Sequence, residues 1–261
     1  MCCRRALVRL LFCGIATGLA ALPGRVSAAM SILIWPINPV IESSQRASSL
    51  WLENRGSTAA HLQLRIFEWT QQGNENSYAE QRDVIGSPPM MRIAPGQKQF
   101  VRLTRPDPLP AGVERAYRIV IDEVPVDDGA LPEEGRGVNF QMRYSVPLFA
   151  YGEGLIGKPQ LQGKPRHESD GAQGLGWSVV TLAGKAHLEV RNQGSMHARL
   201  TQVSLEAGKQ KTTVSDGLLG YVLPGSVMRW PLPEGARARG EGVLRARING
   251  GPTLHILTRL P

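Results

Sequence analysis

Beyond residue 13 this chain of 261 residues contains no cysteine; its three cysteines are Cys2, Cys3 and Cys13. That excludes a thiol nucleophile, a thiolate metal site and any disulfide from almost the whole chain. The five histidines (His61, His167, His187, His197 and His255) show no metal-ligand spacing such as H-E-x-x-H. There is no G-x-S-x-G elbow, since NQGSMH lacks the second glycine, and GAQGLG at 171 is not a G-x-G-x-x-G and reads as a loop. The acidic pairs Asp122-Glu123, Asp127-Asp128 and Glu133-Glu134 stand apart, and solvated charge is the default reading for the last two. No segment sustains a 3.6-residue apolar period of helical length, and no apolar run is long enough to span a bilayer comfortably. No nucleophile, base and oxyanion donor assemble from what remains. The expectation is a binding protein, not an enzyme, with no cofactor and no metal.

The first 29 residues differ from the rest. Arg4, Arg5 and Arg9 precede the apolar run LLFCGIATGLAAL, and the small-residue stretch VSAA comes after it. This is the order of a secretory signal peptide, with cleavage expected near Ala28 or Ala29. It carries four arginines and no acid, so its removal leaves 26 basic against 22 acidic residues, a net charge of +4. That modest charge, without a concentrated basic stripe, argues against a nucleic-acid partner. All three cysteines leave with the signal, so the exported chain must hold itself together by its core alone.

The rest of the chain reads as all-β. Short segments rich in Val, Ile, Leu and Tyr are bounded by Gly, Pro, Asn and Asp. Roughly seven fall in the first half: SILIWPI, SSLWLEN, AHLQLRIFEWT, the region of MMRIAP, QFVRLTRP, AYRIVIDEVP and VNFQMRYSVPLF. Seven short strands with this punctuation suggest an immunoglobulin-like sandwich. A stretch rich in Gly, Lys and Pro from Tyr151 to Gly176 marks a junction, and seven further strand-like segments lie beyond it. The expected division is 1–29 signal peptide, 30–150 first domain and 151–261 linker plus a second β-domain. In GVNFQMRYSVPLF the residues Val138, Phe140, Met142, Tyr144 and Val146 alternate with Asn139, Gln141, Arg143 and Ser145. Alternation defines one apolar and one polar face.

The stretches SSLWLENRG, GSPPMMRIAPGQKQFVRL, AYRIVIDEVP and VNFQMRYSVPLF together resemble a periplasmic pilus-assembly chaperone of the PapD-like family. WPINPVIESSQRASSLWLENRG is similar to the archaic chaperone–usher branch. The resemblance implies two immunoglobulin-like β-sandwich domains in an L-shaped arrangement and a periplasmic location. It implies binding of pilus subunits, stabilised by donor-strand complementation, and their delivery to an outer-membrane usher. Self-association of the free chain is a further expectation. By the same resemblance, Val138, Phe140, Met142, Tyr144 and Val146 form the donor strand, and they should then stand exposed in the isolated chain. Arg143 on the opposite, core-facing side would be awkward.

Two positions depart from the family. Where its better-known branch grips the subunit carboxylate with an Arg and a Lys, this chain has Asn38 and Pro147, neither of which carries charge. Arg118 is the substitute, because Ala116, Arg118 and Val120 lie opposite the core face Tyr117, Ile119 and Ile121. An ion pair of Arg118 with Asp122 or Glu123 is the equal alternative. Pro88, Pro89 and Arg102 match usher-docking positions, and Pro88-Pro89 reads equally as a turn. The rival function is a structural β-sandwich subunit of a pilus or surface layer; such a chain would usually carry an apolar donor extension ahead of an incomplete fold, and here SILIWPI starts the domain directly.

Overall fold

The computed structural model describes residues 31–125, 141–157, 172, 174–234 and 242–261, and every regular element among them is a strand. The expected signal peptide, Val138 and Phe140 of the expected donor strand, and the acidic pairs at 127–128 and 133–134 lie outside the described residues.

Ten strands build the first unit: β1 (Ile32–Trp35), β2 (Val40–Ile41), β3 (Ala47–Asn54), β4 (Ala60–Gln72), β5 (Glu75–Glu80), β6 (Ile85–Ser87), β7 (Met90–Ile93), β8 (Lys98–Thr104), β9 (Glu114–Glu123) and β10 (Arg143–Tyr151). They form two sheets. One has the order β1-β3-β8-β6; the other runs β2-β10-β9-β4-β5, with β7 also on β4. The sheets close on a core that includes Leu50, Leu52, Leu62, Leu64, Val101, Leu103, Ile119, Ile121 and Leu148. Each such side chain contributes roughly 1.5–3 kcal/mol by leaving water, which is how the domain holds without a disulfide. Strand β5 went unanticipated because all six of its residues, ENSYAE, are exposed and so carry no apolar alternation. The chain changes sheets at Pro88-Pro89, between β6 in one sheet and β7 in the other.

The second unit contains β11 (Leu175–Leu182), β12 (Lys185–Asn192), β13 (Ala198–Ala207), β14 (Gln210–Val222), β15 (Val227–Pro231), β16 (Gly242–Ile248) and β17 (Leu254–Arg259), one for each segment expected there. They pair in the order β14-β13-β16-β17-β11-β12-β15 around a core with Trp177, Leu188, Val190, Leu200 and Leu244. The sheet curls until its two edge strands meet. A Cβ on Gly220 of β14 would sit 2.7 Å from the Trp230 ring of β15, so only glycine fits there.

Both units end a strand with the same device. Asn54 donates from Nδ2 to the carbonyls of Thr58 and Ile93 at 2.7 and 2.9 Å and accepts the Gly56 N–H at 2.9 Å. Asn192 does the same with Met196, Val222 and Gly194, at 2.8, 2.9 and 2.9 Å. Both amides are buried, and each satisfies a chain reversal that has no strand partner. The sequence signature is N-x-G, in NRG and NQG.

A third apolar cluster joins the units: Val40, Trp69, Ala116, Phe149 and Tyr151 from the first, Met196 and Leu223 from the second. It lies on the outer face of the β2-β10-β9-β4-β5 sheet.

Candidate functional site: the open edge of β10 and the arginine beside it

Over Arg143 to Leu148, strand β10 pairs with a described strand on one side only. It pairs antiparallel with β9 from Arg143↔Asp122 to Tyr151↔Glu114. On its other side β2 covers only Phe149 and Ala150, in parallel. No described strand pairs with Arg143 to Leu148 on that side. The Glu123 N–H donates to the Met142 carbonyl at 3.0 Å, which makes 142/123 a hydrogen-bonded pair and fixes the parity of the ladder. Arg143, Ser145 and Pro147 therefore sit in non-hydrogen-bonded pairs and turn their backbone groups to the open edge. Phe149 keeps the same parity, its N–H reaching the Pro39 carbonyl at 3.3 Å. Arg143 and Ser145 present both donor and acceptor there. Pro147 presents a carbonyl alone, as edge prolines do.

The side chains divide in the opposite sense from the one expected. Val146, Leu148 and Ala150 face the core of their own domain. Val146 is only 7% exposed, so its expected exposure is corrected: alternation defines the apolar face, and within the domain the second sheet covers that face. Tyr144 is half-buried against the same core, and its hydroxyl accepts the Ile32 N–H at 3.3 Å. Met142, beyond the end of the strand, is 43% exposed. Arg143 and Ser145 point outward. Arg143, awkward if buried, instead bonds Asp122, which also takes Arg65 Nη2 at 2.7 Å. Burial pushes the Asp122 carboxyl up, but hydrogen bonds from Arg143 and Arg65 outweigh that and hold it below its usual value.

Two rows further along the outer face, Arg118 lies between Phe67 of β4 and Pro147 of β10. Tyr117, Ile119 and Ile121 are fully buried on the core side, so the face assigned to Arg118 is the observed one. Its guanidinium carbon stands 3.8 Å from the centre of the Trp69 ring and 5.5 Å from that of Tyr221, a residue of the second unit. The ion-pair alternative is not what the structure contains: Asp122 is occupied by Arg143 and Arg65, and Glu123 Oε2 accepts the Met142 N–H at 3.3 Å. No acid among the described residues pairs with Arg118. Its Nε is buried and finds no hydrogen-bond partner. Desolvation pulls its pKa down, opposed by the neighbouring Tyr78 and Tyr221, yet an arginine starts so high that it stays charged. A half-buried charge held on aromatic faces, with no acid among the described residues beside it, is suited to a carboxylate from outside the chain.

The junction behind Arg118 is rigidly bonded. Glu114, its side chain wholly buried, accepts the His197 N–H at 3.0 Å and His197 Nδ1 at 2.9 Å. The His197 ring stacks on Phe149 with centroids 3.5 Å apart. Gln71 donates to the Tyr221 carbonyl and accepts the Leu223 N–H, at 2.9 and 2.8 Å. Trp69, Glu114, His197 and Tyr221 were missed as site residues in the sequence. For His197 the sequence shows only the lack of metal-ligand spacing, and its partner lies 83 residues away.

Pro88, Pro89 and Arg102 come together: Ser87 pairs with Arg102 across β6 and β8, so the proline corner abuts that exposed arginine. The corner also has a structural task, since the Pro89 carbonyl accepts the Leu64 N–H at 2.8 Å. Among the described residues no group of His, Cys, Asp and Glu is arranged to hold a metal ion.

The profile of the PapD N-terminal domain of pili and flagellar-assembly chaperones matches residues 37–155. The chain is 34% identical, with a TM-score of 0.68, to a chain of the CsuC–CsuE chaperone–tip adhesion subunit pre-assembly complex from the archaic chaperone–usher Csu pili of Acinetobacter baumannii, over 88% of this chain and 100% of that one. The Pseudomonas aeruginosa CupB2 chaperone is similar in fold, with 19% identity, TM-score 0.57 and coverage of 87% and 100%. So is a chain of the Salmonella enterica SafA pilin–SafB chaperone complex, with 16% identity, TM-score 0.58 and coverage of 88% and 95%. No curated protein matches the chain.

Proposed function

The chain belongs to the PapD-like family of pilus-assembly chaperones, and from that premise we propose that it holds a pilus subunit along the open edge of β10, with the subunit's terminal carboxylate on Arg118. Its role is that of a pilus chaperone and not of a structural pilus subunit. The family is non-enzymatic and periplasmic. Export through a signal peptide spanning 1–29, and delivery to an outer-membrane usher through Pro88, Pro89 and Arg102, are part of the same reading.

The observation that carries it is the pairing of an edge that no described strand covers with an arginine on the adjacent strand that has no acid partner among the described residues. A partner strand laid against Arg143 and Ser145 gains backbone hydrogen bonds whatever its side chains, which gives affinity with little demand on sequence. Side-chain specificity falls to Val138, Phe140 and Met142, ahead of Tyr144 and Val146, which pack on the domain's own core. Alternate residues of a strand lie about 6.6 Å apart, an interval fit for successive pockets in an incomplete sandwich. Each filled pocket is worth roughly 1.5–3 kcal/mol, enough to hold a subunit while leaving the strand replaceable. At the end of the strand the carboxylate needs charge-assisted partners, and Arg118 has donors to give.

The test is co-expression of the full chain with a pilus subunit and recovery of the complex from periplasm. Arg118→Ala should cut the yield of complex about tenfold, the loss expected when a carboxylate keeps its desolvation cost without its cation. An unchanged yield removes Arg118 from the anchor.

A further inference from the structure

A cavity between the two units is lined by a further arginine, Arg199, and Arg118 stands beside it against the Tyr221 ring. Asn38, Val40, Phe149, His197, Arg199 and Tyr221 are among the residues that line it, around about 460 Å³. Arg199 and Tyr221 are a cross-strand pair of β13 and β14, so their side chains leave the same face of the sheet. The Tyr221 ring is also the one that stands 5.5 Å from the Arg118 guanidinium. A single phenol ring thus neighbours one arginine from each domain.

Arg199 is held in place through its backbone. Its N–H donates to Asn249 Oδ1 at 2.8 Å, its carbonyl accepts the Asn249 N–H at 3.0 Å, and Asn249 Nδ2 reaches the His197 carbonyl at 3.0 Å. No acid among the described residues pairs with its guanidinium. Of the acids at the cleft, Glu114 is taken by His197 and Glu42 accepts the Gly157 N–H at 3.0 Å. Among the described residues neither half-buried cation is paired with a carboxylate, an arrangement that favours an anion.

The geometry of the strands says which anion arrives. β2 runs parallel to β10 and begins to cover it at Phe149, so Asn38 and Pro39 stand in line with the open edge just beyond Pro147. A partner strand on that edge, running parallel to β10, ends head-on at Asn38 and delivers its C-terminus into the cleft. We propose that Arg199 is the second half of the anchor: the subunit's terminal carboxylate is clamped between Arg118 of the first domain and Arg199 of the second. The cation that Asn38 and Pro147 cannot provide then comes from the other domain, and capture ties the two domains to one ligand. This clamp rests on the pilus-subunit reading of the open edge. A planar guanidinium on each side of a carboxylate satisfies both oxygens.

The experiment co-expresses a pilus subunit with the full chain carrying Arg199→Ala, Arg199→Lys or Arg118→Ala, and repeats it with a subunit extended by Gly-Gly at its C-terminus. Arg199→Ala should lower the yield of complex about tenfold and Arg199→Lys should recover part of it. The extended subunit, whose carboxylate is displaced by about two residues of chain, should be captured equally by the wild type and Arg199→Ala. The thermal midpoint of the free Arg199→Ala chain should match the wild type. Wild-type yield with Arg199→Ala, beside a loss with Arg118→Ala, overturns the clamp and leaves the Arg118 anchor standing. Wild-type yield with both variants overturns the anchor reading itself. An equal loss for native and extended subunits assigns Arg199 a merely structural part and also overturns the clamp.

Discussion

Pro147 stands opposite Arg118 across the β9–β10 ladder in a non-hydrogen-bonded pair, so the open edge lacks a backbone donor beside an arginine with no acid partner among the described residues. A partner strand can pair with the edge up to Ser145. At Pro147 its carbonyl or carboxylate finds no N–H and must look to a side chain. The place where pairing stops is also the place where charge is on offer.

Restoring the missing donor should lengthen the sticky edge. Pro147→Val adds one N–H facing outward and removes no hydrogen bond from the β9 side. One extra backbone bond is worth about 1 kcal/mol, or about fivefold in an association constant. Sedimentation of the free chain should show more self-association at equal concentration. A distribution identical to the wild type means that Pro147 does not limit this edge.

The bond between the domains through Glu114 and His197 should be expensive to cut on one side. Glu114→Ala leaves a buried His197 N–H without an acceptor, at a cost of roughly 1–3 kcal/mol. Glu114→Gln keeps a side-chain carbonyl for the same N–H and should cost less. Chemical denaturation measures both, and limited proteolysis of the junction should speed up only for the alanine variant. Equal stability of Glu114→Ala and wild type would show that the apolar cluster alone holds the domains.

The Asp122 pair with Arg143 and Arg65 sets an acid limit. Its folded pKa lies below the unfolded value, so its stabilisation is present above about pH 4 and is lost as the pH falls through the folded pKa. Arg143 and Arg65 are largely exposed, which reduces the gain to about 0.5–1 kcal/mol. Asp122→Asn should be less stable than wild type by that amount at pH 7, with the gap closing towards pH 2. A gap that persists at pH 2 would place the cost in packing and not in charge.

Much of the fold was legible in the strand-like segments. Tyr117, Ile119 and Ile121 alternate in AYRIVIDEVP and are fully buried, and Arg118 between them faces outward as their spacing requires. All seven segments of the second half became strands. ENSYAE was invisible, because a strand exposed on both faces has no periodic signal. The N-x-G corners at Asn54 and Asn192 carried a signal in plain view, two short motifs with the same chemistry. The Glu114–His197 bond carried none, since nothing local ties residues so far apart.

The sequence alone determined which side chains share a face, and its resemblance to the chaperone family marked where charge is missing, at Asn38 and Pro147. It could not say which face of residues 143–146 is covered, because alternation separates two faces without ordering them. Only the second sheet decided that, by burying Val146 and turning Arg143 outward. The meeting of Arg118 with Tyr221, and through it with Arg199, belongs wholly to tertiary structure. It exists because two domains, each folded around its own apolar core, pack against each other at Trp69, Phe149, Met196 and Leu223.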